Sequence, residues 1–228
     1  TVTFSENVYN TNGGSGDLEV ADFALSISGG AAGVNATPGS ITKTAQNIWV
    51  LGVTITGTAN GGETLTVVPA SNAIYSAGGR ASSTSQSNNT ASLTEKVLPT
   101  ISSVSLNAAN SELTVTFSEN VYNTNGGSGA LELADFALSS SGGAATVNAT
   151  PGSISSSDPK VWVLGVTITG TANGGETLTV VPAAGNAIYD AVGNAASTTQ
   201  SNNTASLTEK VLPTITNLAI YDTDFNGL

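Results

Sequence analysis

The chain says most things twice. "WVLGVTITGTANGGETLTVVPA" at 49–70 recurs without a change at 162–183, "TVTFSENVYN" at 1–10 recurs at 114–123, and "QSNNTASLTEKVLPTI" at 86–101 recurs at 200–215. Trp49 returns as Trp162, an offset of 113 residues that holds through Pro69 and Pro182. It then becomes 114, because "PASNAIY" in the first copy reads "PAAGNAIY" in the second. Duplication on this scale constrains the fold strongly. Each copy must be a unit with its own core, and at this length it is a domain rather than a turn of a solenoid.

Within each copy the hydrophobic period is 2. In "NIWVLGVTITG", Trp49, Leu51, Val53 and Ile55 share one parity, and Val50, Gly52, Thr54 and Thr56 take the other. Val2 with Phe4, and Leu65 with Val67, alternate in the same way. Such alternation gives antiparallel strands one buried and one wet face. The runs are separated by "NGG", "TPGS" and "SAGG", which is turn chemistry. The reading is all-β: tandem immunoglobulin-like β-sandwich domains, whose usual length is close to one repeat. Repeat 1 covers 1–97, repeat 2 covers 98–212, and 213–228 reads as the first strand of a following repeat.

The phasing carries further information. "LPTISSVSLNAANSELTVTFSENV" reads as an opening strand, a hairpin and a second strand, and residue 1 falls in that second strand. Repeat 1 is therefore expected to lack its opening strand, while "LPTITNLAIYDTDFNGL" supplies one without a domain. Two arrangements fit: a segment of a longer array, which is preferred, or donation of the strand at 214–221 to the first domain of the next molecule.

Composition removes whole classes of function. With 16 acidic and 5 basic residues the net charge is −11, and the bases are scattered, so nucleic acid is not an expected partner. The chain has no His and no Cys, which removes the usual general base, thiol nucleophile and transition-metal ligands. What chemistry remains is a carboxylate pair such as Glu6 with Asp22, or an unassisted Ser, and no enzyme is expected. No apolar run reaches the length of a membrane span. Low charge with abundant Thr, Ser, Asn and Gly suits an extracellular, cell-surface setting.

"VTFSENV", "ADFALS", "ETLTVVPA", "NAIYDAVGNAAS" and the hinge "LPTI" together resemble the bacterial Ig-like repeats of giant surface proteins, of the type seen in cyanobacterial swimming-motility and adhesin-like proteins. The resemblance covers the whole chain. It implies a stalk or fibre of many such domains outside the cell, often stiffened by calcium. The first copy departs from the pattern, with Ser76 and Gly79 where Asp190 and Asn194 stand in the second.

Candidate sites follow from the acids. "NGGSGDLEV" is no phosphate loop, since it has no Lys and no following helix. It is no nonapeptide calcium repeat either, because Asp17 comes one residue early and Ala130 replaces it in the second copy. It reads as a flexible glycine-rich connection between strands. Glu6 and Asp22 recur as Glu119 and Asp135, and Glu19 recurs as Glu132. These could supply carboxylates to Ca2+, or could be solvated or capping a turn. Asp222, Asp224, Asn226 and Gly227 match half of an EF-hand-type loop, with oxygens at alternate positions and a Gly for the turn. The middle of the chain has Ala108 and Asn110 in place of Asp222 and Asp224. Asp190 and Asn194 form a D-x-x-G-N turn, and Trp49 and Trp162 lie on the buried parity.

The leading functional expectation is a non-catalytic structural repeat of an extracellular bacterial stalk, fibre, surface-layer or adhesin protein, stiffened by calcium. Its partners would be neighbouring repeats of the same protein, self-association into filaments, and a surface or glycan ligand. The alternative is a carbohydrate-binding module, which requires an exposed row of aromatics.

Overall fold

The alternation read from the sequence becomes strands throughout. The structure, a computed structural model, describes residues 1–220 and is all-β, with antiparallel pairing in every sheet and two short 3-10 turns, Val20–Asp22 and Leu133–Asp135, as its only helical elements among the described residues. The chain divides into two compact units, Thr1–Val97 and Leu98–Leu228.

The first unit contains β1 (Val2–Thr3), β2 (Phe23–Ser28), β3 (Ser40–Ala45), β4 (Ile48–Gly52), β5 (Thr64–Pro69) and β6 (Thr90–Ser92). One sheet runs in the order β1-β4-β3 and the other in the order β6-β5-β2. The second unit contains β7 (Ile101–Leu106), β8 (Glu112–Phe117), β9 (Phe136–Ser141), β10 (Ile154–Asp158), β11 (Val161–Gly165), β12 (Thr177–Pro182) and β13 (Thr204–Ser206). Its sheets run β7-β8-β11-β10 and β9-β12-β13. Two-residue pairings such as Val8–Tyr9 with Tyr75–Ser76 tie the loops of the first unit.

In the second unit both sheets feed one core. Val115 and Phe117 from β8, Trp162 and Leu164 from β11, Phe136 and Leu138 from β9, and Leu178 and Val180 from β12 form a single buried cluster. This is the two-layer packing of a β-sandwich. The rings of Phe117 and Phe136 meet tilted with centroids 6.3 Å apart, and Phe4 meets Phe23 in the same way at 6.3 Å. Such pairs add about 0.5–1.5 kcal/mol to simple burial. Trp49 is 1% exposed and Trp162 5%, as their parity requires.

The alternation breaks at one place in the first unit. Val53, on the inward parity, is exposed, although β4 and β11 end at the equivalent residues Gly52 and Gly165. Its counterpart Val166 is buried, and its N–H donates to Ser111 O at 2.8 Å in the hairpin between β7 and β8. Among the described residues the first unit has no such hairpin, and β1 pairs with β4 alone. The "NTNGGSG" connection also differs from expectation. It is a hydrogen-bonded turn, in which Thr11 Oγ1 donates to Ser15 O at 2.5 Å and Thr11 bridges Ser15. Gly14 there has φ +79°, a conformation that favours glycine, and a Cβ would make a tight 3.0 Å contact with Ala77 O. Asp17, in the same loop, pairs with Lys43 at 2.5 Å.

Candidate functional site

The polar residues shared by both units converge on backbone amides. "ANGGETLTVV" places a Glu on the inward parity of a strand, and this side chain is buried in each copy: Glu63 and Glu176 are each 1% exposed. Glu176 Oε1 accepts N–H bonds from Ala144 at 2.7 Å, Ala145 at 2.9 Å and Asn173 at 3.2 Å, and Oε2 accepts from Asn173 and Gly174, each at 3.1 Å. Glu63 repeats the arrangement with Ala31 at 2.7 Å, Ala32 at 3.0 Å and Asn60 at 3.0 Å. Backbone donors, led by Ala32 and Ala145, outweigh burial and hold both carboxyls at about 2, against an ordinary 4.5. The turn is built around the carboxylate. Gly143 has φ +58°, and a Cβ on it would sit 2.2 Å from Glu176 Cδ.

The same turn anchors the exit strand. Leu207 N–H donates to Glu176 O at 3.0 Å and Lys210 N–H to Ala172 O at 2.7 Å; in the first unit Leu93 and Lys96 donate to Glu63 and Ala59. Buried Asn110, in the left-handed region at φ 61°, adds a reciprocal pair with Thr208: its Nδ2 donates to Thr208 O at 2.7 Å, and its Oδ1 accepts Thr208 N–H at 2.8 Å. Asn110 stands where Asp224 would align, and there it is a hairpin residue.

The acids singled out in the sequence go to several places. Asp22 and Asp135 each turn one oxygen inward along the chain: Oδ2 accepts the N–H of Glu19 and of Glu132, both at 2.7 Å, at the starts of the two 3-10 turns. Burial raises both carboxyls above their usual value, against the pull of that bond. Glu6 is exposed. Glu119 lies with a carboxylate oxygen within 4.8 Å of one from Asp190. Asp190 is wholly buried and serves its turn. Its Oδ1 accepts from Val192 at 2.9 Å, Gly193 at 2.7 Å and Asn194 at 2.8 Å, while Oδ2 takes Asn194 Nδ2 at 2.7 Å. Asp222, Asp224 and Asn226 lie outside the described residues.

A calcium ion takes six to eight oxygens. Against that requirement Asp22, Asp135 and Asp190 already act as backbone acceptors, and among the described residues Glu6, Asp22 and Asp135 join no group of three acids with ligand atoms in mutual reach. Asp22, Asp135 and Asp190 thus take part in turn construction. Sequence reasoning overlooked Glu63 and Glu176; the signal was a carboxylate in phase with Leu65 and Val67.

The first unit carries a groove of about 480 Å³ beside β1, lined by Val2, Phe4, Leu65, Val67, Gln86 and their neighbours, with no charged side chain in its lining. No family model, curated protein or solved structure matches the chain. Among the described residues no helix is long and apolar enough to cross a membrane.

Proposed function

We propose that this chain is a load-bearing structural element, two tandem immunoglobulin-like modules of an extracellular stalk, fibre, surface-layer or adhesin protein, without catalytic activity. The observation that carries the reading is the duplicated glutamate turn. Both copies commit a buried carboxylate to internal amides and use it to hold the strand that leaves the unit. Polar groups spent inside turns make a module that keeps its shape, which is what serial repetition needs. The carbohydrate-binding alternative gains nothing from Trp49 or Trp162, since both rings are buried.

Calcium is a separable part of the proposal. It rests on Asp222, Asp224 and Asn226 as half a loop, with Glu119 as a further carboxylate, and a chelator scan addresses it directly. The structural role is tested by pulling single chains between their ends and by labelling intact source cells with an antibody to the chain. Two separate unfolding events and labelling without permeabilisation are expected. One merged event, or labelling only of broken cells, would refute it.

A further inference from the structure

The two copies part company beside their tryptophans. Residues 49–70 and 162–183 are identical, yet every residue from 43 to 48 differs from its counterpart at 156–161. Lys43 becomes Ser156, Ala45 becomes Asp158 and Gln46 becomes Pro159, while in the glycine-rich turn Asp17 becomes Ala130.

The backbone beneath these changes is the same. Lys43 stands opposite Trp49 across β3 and β4, Ser156 stands opposite Trp162 across β10 and β11, and both outer strands slip register at the next residue. Both indole N–H groups donate to the turn, Trp49 to Gln46 O at 3.3 Å and Trp162 to Pro159 O at 3.0 Å. The two rings are seated alike, and what differs is what lies over them.

In the first unit the chain covers its own ring. The Lys43 ammonium lies 5.7 Å from the centroid of the Trp49 ring and 2.5 Å from Asp17 Oδ1. An ammonium over an indole face is attracted by the ring quadrupole, and its alkyl stem packs on apolar surface. In the second unit stem, ammonium and counter-ion are replaced by Ser156 and Ala130. A hollow of about 420 Å³ opens there, lined by Tyr122, Ala130, Ser156, Asp158, Pro159 and Trp162 among others. That volume lies in the range of small-ligand sites. Asp158 is the one charged residue in the lining. It is exposed, and its Oδ1 accepts the N–H of Lys160 at 2.9 Å, so a carboxylate is held at the rim.

We propose that this hollow of the second unit binds a primary alkylammonium group, the chemical equivalent of the side chain that closes the first unit. Three features select that class. The same indole already accepts an ammonium in the other copy. Asp158 supplies a counter-charge, and the net charge of −11 favours cations over anions around the chain. Trp162 is 5% exposed, a narrow strip that suits a run of methylenes ending in an ammonium and not a sugar ring, which stacks on an open face. The group arrives either on a lysine side chain of a partner protein or as a free alkylamine. The inference goes beyond the structural role proposed above and does not depend on it, since titration of the purified chain says nothing about the cell surface.

NMR titration of the full, isotope-labelled chain with n-butylammonium chloride tests it, and the Trp49 indole is a control in the same tube. The Trp162 indole N–H and the amides of Tyr122 and Asp158 are expected to shift saturably while Trp49 stays still. n-Butanol, which keeps the stem without the charge, should bind about threefold to thirtyfold more weakly, the worth of one ammonium over an indole. Ala130→Asp with Ser156→Lys rebuilds the first unit's cover and should abolish the response. Asp158→Asn, which keeps an acceptor for Lys160 N–H, should weaken it severalfold, and it decides the matter alone should the double variant not fold. A lysine capped at both ends separates the sources: binding equal to that of butylammonium supports a protein side chain, and binding confined to the free amine supports a small molecule. No saturable shift at Trp162, an equal response to n-butanol, or a response of the same size at Trp49 would overturn the inference. So would a response that survives both the folded double variant and Asp158→Asn.

Discussion

Leu178 and Leu65 occupy the same place in identical sequence, and truncating each to Ala separates the contribution of the missing neighbour from that of the residue. Leu178 on β12 is 0% exposed inside the core cluster. Removing three carbons forfeits about 2.4 kcal/mol of transfer free energy at about 0.8 per methylene. The sealed cavity adds about 1–2 kcal/mol, so Leu178→Ala should cost about 3–4 kcal/mol. Leu65 on β5 lines the open groove and is half-buried. Its carbons are partly in water already and its loss seals no cavity, so Leu65→Ala should cost about 1 kcal/mol. NMR peaks of each unit followed through a urea titration, at a concentration where the chain is monomeric, give the two midpoints. With a slope of about 1–3 kcal/mol per molar urea, the second unit's midpoint should fall by roughly 1–4 M and the first unit's by about 1 M or less. Equal costs at the two positions would refute the claim that the first unit's core is uncovered.

Three further outcomes follow. Because Glu63 and Glu176 are held at about 2 in the folded chain against 4.5, their stabilisation is full above about pH 4.5 and is lost as pH falls toward 2. Urea midpoints should drop over that window, Glu176→Gln should flatten the drop in the second unit, and a midpoint that rises on acidification would contradict the assignment. Gly143→Ala forces a Cβ into the left-handed region against a pinned carboxylate and should cost at least about 1–2 kcal/mol, whereas Gly185→Ala, with nothing within 4 Å, should be near neutral in the same melt. If calcium stiffens the chain, chelation should lower a melting temperature by several degrees and excess calcium should restore it; an unchanged melt would remove calcium from the proposal.

Strand and turn were legible in the sequence wherever one residue decides one face. The parity of Trp49, Leu51 and Trp162 predicted their burial, and the D-x-x-G-N motif predicted the Asp190 turn. The reading of Val53 failed because its burial depends on a hairpin that only the second unit possesses, and parity within a strand does not report on neighbours. Glu63 and Glu176 escaped notice because a carboxylate on an inward parity normally argues against burial. Backbone amides of a loop some 31 residues away in sequence, together with those of its own turn, make it favourable. The acids picked out for a metal were conspicuous in the string, but Asp22 and Asp135 satisfy amides three residues away, which composition does not distinguish from ligation.

Residues 49–70 and 162–183 are the same peptide, so their intrinsic amide exchange rates are the same and any difference in protection comes from structure alone. NMR-detected hydrogen exchange of the monomeric chain compares Leu65 and Val67 with Leu178 and Val180 directly. Protection in β12 exceeding that in β5 by at least about tenfold, with the gap closing once residues 99–113 are placed ahead of Thr1, is the predicted result. Equal protection in the two strands would mean that the groove beside β1 is not open in solution.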